Sequence, residues 1–288
     1  MDNILDLHAD LKSRSYEHGG YRAFNINDPK PRNIHKASVR DRLLHHAIYR
    51  VLYPFFDRTF VADSYSCRLG KGTHRAIQRF DAFARKTSKN NTRTCWILKC
   101  DIRKFFASID QELLLSILRS YISDSDTVLL LSRVIRSFHS TEVGVGLPLG
   151  NLTSQLLVNI YMNEFDQFMK HILKAKHYIR YADDFVIISE HKSLLEKMVS
   201  IIGEFLQERL KLRLHPNKIS IRTLASGVDF LGWVNFLDHR VLRTSTKKRM
   251  FNNITRKGYK RETVQSYRGL LSHGNSQKLL KNGLLGLK

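Results

Sequence analysis

The chain has 288 residues, 42% hydrophobic and 10% aromatic, a globular balance that excludes collagenous and low-complexity chains. No apolar run approaches the roughly 18–20 residues needed to cross a bilayer. Lys plus Arg number 48 against 26 for Asp plus Glu, a formal charge of +22. Such an excess favours a polyanionic partner, nucleic acid above all, because no basic amphipathic anchor helix is visible for an anionic membrane.

The acidic opening, residues 1–10, has no apolar signal core. Three cysteines, Cys67, Cys95 and Cys100, make neither a metal pattern nor an even disulfide set, so a reducing, cytoplasmic setting is expected. The N-terminal third reads as basic and irregular, with turn signals at Gly19-Gly20, Asn27-Asp28-Pro29 and Gly70-Lys71-Gly72. Residues 95–100 read as a short buried strand, followed after Ser108 by a helix carrying Leu113, Leu114, Ile117 and Leu118. A Gly/Pro-rich loop, 144–150, opens a second helix running through Asn159 and Phe168. Residues 177–189 look like two β segments meeting at Ala182-Asp183-Asp184.

Ser193 and Glu196 have capping-box spacing for a helix that buries Leu195, Met198, Ile202 and Phe205. Residues 219–221 and 230–236 follow as strands. The stretch 247–261 holds seven basic residues and no acid, and reads as a separate basic subdomain. The order suggests an α+β sheet with helices on one face.

Two acidic sites stand in apolar surroundings: Asp101 at the end of the first strand, and Asp183-Asp184 between Tyr181 and Phe185-Val186-Ile187-Ile188. Buried carboxylates need a neutralising partner, and adjacent acids repel unless a cation lies between them. A hairpin beside a strand end brings Asp101 against Asp183, and a cluster of hard oxygens suits Mg²⁺. Two such ions would activate a 3′-hydroxyl and stabilise leaving pyrophosphate. The plainer alternative is a polar turn and a helix cap.

The residues Tyr181-Ala182-Asp183-Asp184-Phe185 resemble the signature hairpin of reverse transcriptases, and five further blocks fall in order. Residues 29–32 through 39–42 and residues 64–72 resemble the two fingers motifs. Residues 99–106 resemble the first carboxylate motif, and 210–218 and 230–233 the last palm blocks. The resemblance covers roughly residues 25–275 and implies a right-hand polymerase of α+β class, with RNA template, DNA or RNA primer and deoxynucleoside triphosphates as partners. It implies fingers over 1–94, an antiparallel palm backed by helices over 95–238 (111–145 returning to the fingers), and a short helical, basic thumb over 239–288.

By resemblance, Asp101, Asp183 and Asp184 are the catalytic aspartates. Together with Ile102 they form the site for two Mg²⁺, for which Mn²⁺ can substitute. Phe106 matches a steric gate against the 2′-hydroxyl, with Phe105 left to the core. Lys30 and Arg32 match basic residues near the triphosphate, and Lys218 a lysine near the incoming nucleotide. Arg68 and Lys71 either hold the template backbone or are solvated charges. Lys247, Lys248 and Arg249 lie in the basic tail, which either tracks a duplex or is a solvated helix pair.

The block Gly146–Gln155 departs from most reverse transcriptases, with Leu149 where glutamine is usual and Gln155 where proline is usual. With Asn151 and Thr153, this resembles the enzymes of diversity-generating retroelements. Those copy a template-repeat RNA with frequent errors at adenines and work with a small basic accessory protein. Leu149 offers contact area but no directed hydrogen bond to the incoming sugar, which fits loosened discrimination; alternatively it only packs the helix entrance. Group II intron, retron or phage-defence reverse transcriptases are the rival readings, and a non-catalytic RNA-binding scaffold is the rival of another class. The intron reading is disfavoured because only about fifty residues follow Phe236, too few for maturase or endonuclease domains. His45-His46 point apart on a helix and are not expected to be ligands.

Overall fold

The computed structural model describes residues 2–27 and 31–276, together with Leu279. Helix α1 (Asp2–Lys12) leads into an antiparallel hairpin, β1 (Arg22–Ile26) and β2 (Arg32–Lys36), which pairs Arg22 with Lys36 and Ile26 with Arg32. Two helices follow, α2 (Val39–Asp57) and α3 (Thr73–Thr87). Ser38 starts α2 by accepting from the Asp41 amide, the usual role of serine before a helix. Among the described residues the N-terminal third therefore holds three helices and a hairpin where irregular chain was expected, with loops and turns left over 13–21 and 58–72.

The central sheet is fully antiparallel, in the order β4 (Tyr178–Tyr181), β5 (Asp184–Ser189), β3 (Trp96–Asp101), β6 (Ser220–Thr223). Its residues alternate between two apolar faces, as the two-residue period of a strand requires. Leu98, Cys100, Phe185 and Ile187 point into one core, which also takes in Leu156, Tyr161 and Phe165 from α6 (Leu152–Gln167) and Leu195 and Ile202 from α7 (Lys192–Leu210). Helices α4 (Gln111–Tyr121) and α5 (Ser125–Arg136) complete that layer. Ile97, Ile179, Val186 and Ile188 point the other way, onto Phe80, Phe83 and Ala84 of α3. The sheet thus carries helices on both faces, which corrects the one-sided arrangement expected. Each such fully buried aliphatic or aromatic side chain is worth about 1.5–3 kcal/mol, so both faces hold the sheet rigid.

Three local differences have simple causes. Helix α7 begins at Lys192, with His191 as its cap and no side-chain cap bond; Ser193 lies inside it, and Lys192 pairs with Glu196 one turn on. Phe205 is only half-buried, stacked on Phe168 at 3.9 Å, while Leu206 and Leu210 continue the buried stripe. Residues 230–236 are not one strand but the turn of a hairpin. Val228–Phe230 (β7) pairs with Trp233–Asn235 (β8), joined by Leu231 and Gly232, both at positive φ, and β8 pairs with Arg240–Leu242 (β9). The basic tail forms α8 (Thr244–Arg256) and α9 (Arg261–Leu271) around Trp233, Met250 and Ile254. Cys95 and Cys100 are buried and Cys67 is exposed.

Candidate active site

Asp101 is the last residue of β3 and Asp184 the first of β5, and the register pairs them directly. They lie on the same face as Lys99 and Val186. Between β4 and β5 runs a two-residue turn, Ala182-Asp183, closed by the pair Tyr181–Asp184. Ala182 holds φ +56°, a strained value for a residue with a Cβ. The Asp183 carbonyl accepts from the Ile102 amide at 3.1 Å, and the Asp101 carbonyl from the His215 amide at 2.8 Å. The backbone therefore gathers the three aspartates and Ile102 at one end of the sheet.

Like charges opposed across a pair of strands repel. Burial pushes the Asp183 carboxyl above its usual range, and Asp101 adds to the effect. Burial likewise drives Asp184 up to about 7; Lys99 opposes the rise, while Asp183 and Asp101 reinforce it. Two lysines offset part of this repulsion. Lys218 Nζ stands 2.7 Å from Asp101 Oδ1, and Lys99 Nζ stands 3.5 Å from Asp184 Oδ2 while donating to the Asp229 carbonyl at 2.7 Å. Asp184 Oδ1 is buried with no hydrogen-bond partner.

That orphaned oxygen and the mutual repulsion are what a divalent cation relieves, so the donor chemistry fits a hard metal. Among the described residues no group of three or more His, Cys, Asp or Glu side chains forms a ready-made metal cage. Mg²⁺ does not require one, since it is usually held by one or two carboxylates with water and substrate phosphates.

The loop entering α6 lies over the short 3₁₀ turn Phe105–Ser108: the Leu147 amide donates to the Phe106 carbonyl at 2.8 Å. Phe105 is buried in the core, and Phe106 is half-buried and edge-on to it. Leu149 is half-buried, and its carbonyl accepts from the His35 amide at 3.0 Å. Asn151 donates to the His35 carbonyl at 2.8 Å, so loop and hairpin are stitched together. A Cβ on Gly150, at φ +106°, would fall 2.7 Å from Ile34. Gln155 is half-buried in the first turn of α6.

Arg32, exposed on β2, acts electrostatically on Asp183 and, after Lys218, opposes part of the rise in its pKa. It also lines a cleft of about 1110 Å³ with Thr73, Leu231, Arg243, Lys248, Arg249 and Arg256. Lys247 is exposed on the same helix as Lys248 and Arg249. Lys30 lies outside the described residues.

Arg68 requires a correction. Its guanidinium donates to Asp57 Oδ1 at 2.7 Å and to the Val61 and Ser64 carbonyls at 2.8 and 3.0 Å. The side chain is only 6% exposed, so Arg68 is a brace of its own loop, neither a template-facing cation nor a solvated charge. Lys71 is likewise engaged, donating to the Ala62 carbonyl at 2.7 Å with its ammonium over the Tyr65 ring.

Two groups escaped sequence reasoning. Lys99 sits two residues before Asp101, and that spacing alone places it on the same strand face. Arg180, wholly buried, donates to both oxygens of Asp166, to Asn159 and Ser64, and to the Ala182 carbonyl at 3.1 Å. It thereby ties the aspartate-bearing turn to α6 and to the loop before α3.

A family profile described as reverse transcriptase (RNA-dependent DNA polymerase) matches residues 26–234. The chain belongs to the reverse transcriptase family. Protein YkfC of Escherichia coli (strain K12) is 29% identical, over 73% of this chain and 63% of YkfC. The group II intron-encoded protein LtrA of Lactococcus lactis subsp. cremoris is 23% identical, over 86% of this chain and 51% of LtrA. The chain thus spans less than two-thirds of the length of these curated relatives. Among solved structures, apo telomerase from Candida tropicalis superposes with a TM-score of 0.61 at 11% identity, covering 83% of this chain and 52% of that one. Telomerase from Candida albicans in complex with a TWJ fragment of telomeric RNA gives 0.59 at 11%, covering 91% and 54%. These likenesses establish an α+β polymerase fold. Reverse transcriptases generally use divalent metal ions. No described helix is long and apolar enough to cross a membrane.

Proposed function

We propose that this chain copies RNA into DNA by nucleotidyl transfer at the Asp101–Asp184 end of the central sheet. The observation that carries the reading is the direct register of Asp101 and Asp184, with Asp183 on the adjoining turn and Asp184 Oδ1 left unpartnered. Asp101, Asp183, Asp184 and the Ile102 carbonyl are the groups that would hold a pair of Mg²⁺ ions, with Mn²⁺ able to substitute. When bound, the metal lowers the pKa of an attacking hydroxyl and neutralises charge on the transferred phosphoryl group.

The chain's own residues supply the rest. The primer 3′-oxygen forms a bond to the α-phosphorus as the bond to pyrophosphate breaks, and the hydroxyl proton passes to solvent. Lys218 and Arg32, with Lys30, balance triphosphate and pyrophosphate charge. Phe106 presents a half-buried ring against which a 2′-hydroxyl would clash. Arg243, Lys248, Arg249 and Arg256 line the cleft and suit the phosphates of a template–primer duplex, with Lys247 beside them. In this reading residues 1–94 act as fingers, 95–238 as palm and 239–288 as thumb, and the partners are RNA template, DNA or RNA primer and deoxynucleotides. The test is RNA-templated cDNA synthesis with deoxynucleotides and Mg²⁺, comparing the chain with Asp183→Asn. Synthesis abolished with RNA binding retained supports the enzyme; equal synthesis by the variant sinks it.

The Leu149 and Gln155 departures support a finer reading, an error-prone enzyme of a diversity-generating retroelement. A small basic accessory protein would there meet a chain that is itself at +22, so RNA would have to supply the charge between them. The intron-encoded relative LtrA supports the rival reading, copying of an intron RNA. Sequencing the cDNA decides: errors concentrated at template adenines favour the former, an even spectrum the latter.

A further inference from the structure

Behind the catalytic turn, at the other end of β4, the molecule gathers positive charge that the polymerase reading does not use. Helix α3 carries Arg75, Arg79 and Lys86, spaced four and seven residues apart and so on one face. All three are exposed. Against this stripe stands the end of α6, which widens into a π-helical turn, Phe168–Ile172. Such turns are rare and concentrate at functional sites. Beyond it, Lys174 at φ +50° and Lys176 are both exposed.

One buried acid joins the two elements. Asp63 Oδ1 accepts from Arg79 Nε at 2.8 Å, and Asp63 Oδ2 lies 3.6 Å from Lys170 Nζ. Lys86, Lys174, Lys176 and His177 line a shared groove of about 340 Å³. Burial lowers the His177 pKa, and Lys176, Lys86, Lys170 and Arg79 all lower it further, so these cations converge on one spot. Asp63 is spent on two of them, and Glu190 on the groove's rim faces Arg93 at 3.6 Å. Strand β4 separates the patch from Asp183 by about 13 Å of extended chain.

We propose that this surface, Arg79, Lys86, Lys170, Lys174 and Lys176, is a second RNA-binding site that grips the phosphate backbone of a folded segment while the cleft holds the region being copied. The inference rests on the RNA-copying reading, which supplies the polyanion. Ammonium and guanidinium groups clustered along and beside this groove match the regular phosphates of a double helix and contain no device for reading bases.

The test uses the full chain and an RNA hairpin of about two helical turns. The triple variant Lys86→Ala/Lys174→Ala/Lys176→Ala should flatten the plot of log affinity against log salt by about 2 to 3, at roughly 0.9 per lost phosphate contact. The Lys→Arg triple should retain the slope. Lys12→Ala/Arg119→Ala/Lys197→Ala removes equal charge elsewhere and should change it little. Equal flattening by both alanine triples, or none by either, overturns the proposal. So does an unchanged RNA slope with lost binding to phosphatidylserine vesicles, which would assign the patch to a membrane. Extension of a short primer–template by the unsubstituted chain reports separately on the polymerase reading.

Discussion

Arg180 and Asp166 meet in a paired contact, with Nε to Oδ1 at 2.8 Å and Nη2 to Oδ2 at 2.6 Å, both side chains essentially solvent-free. Tyr178 adds a hydroxyl bond to the same carboxylate at 2.6 Å. Removing one partner strands the other as a buried charge. Arg180→Met should therefore cost about 3–5 kcal/mol in stability, read by denaturant unfolding. Arg180→Lys keeps the charge but loses the fork that reaches Ala182. It should lower kcat while leaving the KM for deoxynucleotide near its original value; a rise in KM with kcat intact would mean that the turn is held by other contacts.

The raised pKa of Asp184 has a consequence for stability. Its folded value of about 7 exceeds the ordinary 3.8, so between those limits the native state binds the extra proton. This group's contribution is present below about pH 4 and is lost as pH rises through 7. Without added metal, Asp184→Asn should be the more stable protein at pH 8, by about 2–4 kcal/mol, and the gap should close by pH 4. Paired melting curves at the two pH values provide the measurement.

Gly150 and Gly70 both hold positive φ, but only Gly150 is crowded, since a Cβ there would lie 2.7 Å from Ile34. Gly150→Ala should cost about 1–3 kcal/mol and loosen the β1–β2 hairpin, raising the KM for nucleotide. Gly70→Asn, in open space, should be nearly neutral. Equal losses in thermal melts would show that backbone strain rather than the hairpin contact dominates.

Leu149→Gln restores a directional amide at the mouth of α6, and errors at template adenines should fall. Sequenced cDNA with the same error spectrum would remove Leu149 from the account of fidelity.

Phe106→Ala should open room for a 2′-hydroxyl. Ribonucleotide incorporation relative to deoxynucleotide should rise at least tenfold, about 1.4 kcal/mol of discrimination. Unaltered selectivity in primer extension would leave Phe106 as packing only.

The pairing that gathers the aspartates was legible because β3 and β5 are short apolar strands ending in acids, and apolar flanks on a charged turn are hard to explain otherwise. The β1–β2 hairpin was not, because all five residues of β1 are exposed and no alternation marks it. The β7–β8 turn was hidden because Leu231 is no turn former yet holds φ +52°. Arg180 escaped notice because an arginine in a strand ordinarily faces water, and its partners Asp166, Asn159 and Ser64 are scattered along the chain. Arg68 was misread for the converse reason: a cation in a glycine-bearing loop looks solvent-facing until the end of α2 brings Asp57 against it.

The three thiols differ sharply in environment. Burial pushes Cys95 and Cys100 up to about 12, so alkylating reagents should pass them by in the native protein, whereas exposed Cys67 remains open to attack. A maleimide dye should therefore label the native chain at one position without any engineering. That position adjoins Ser66, whose carbonyl is bonded to Asn159 of α6, so the fluorophore would report from a loop anchored to the same helix that Arg180 ties to the aspartate-bearing turn.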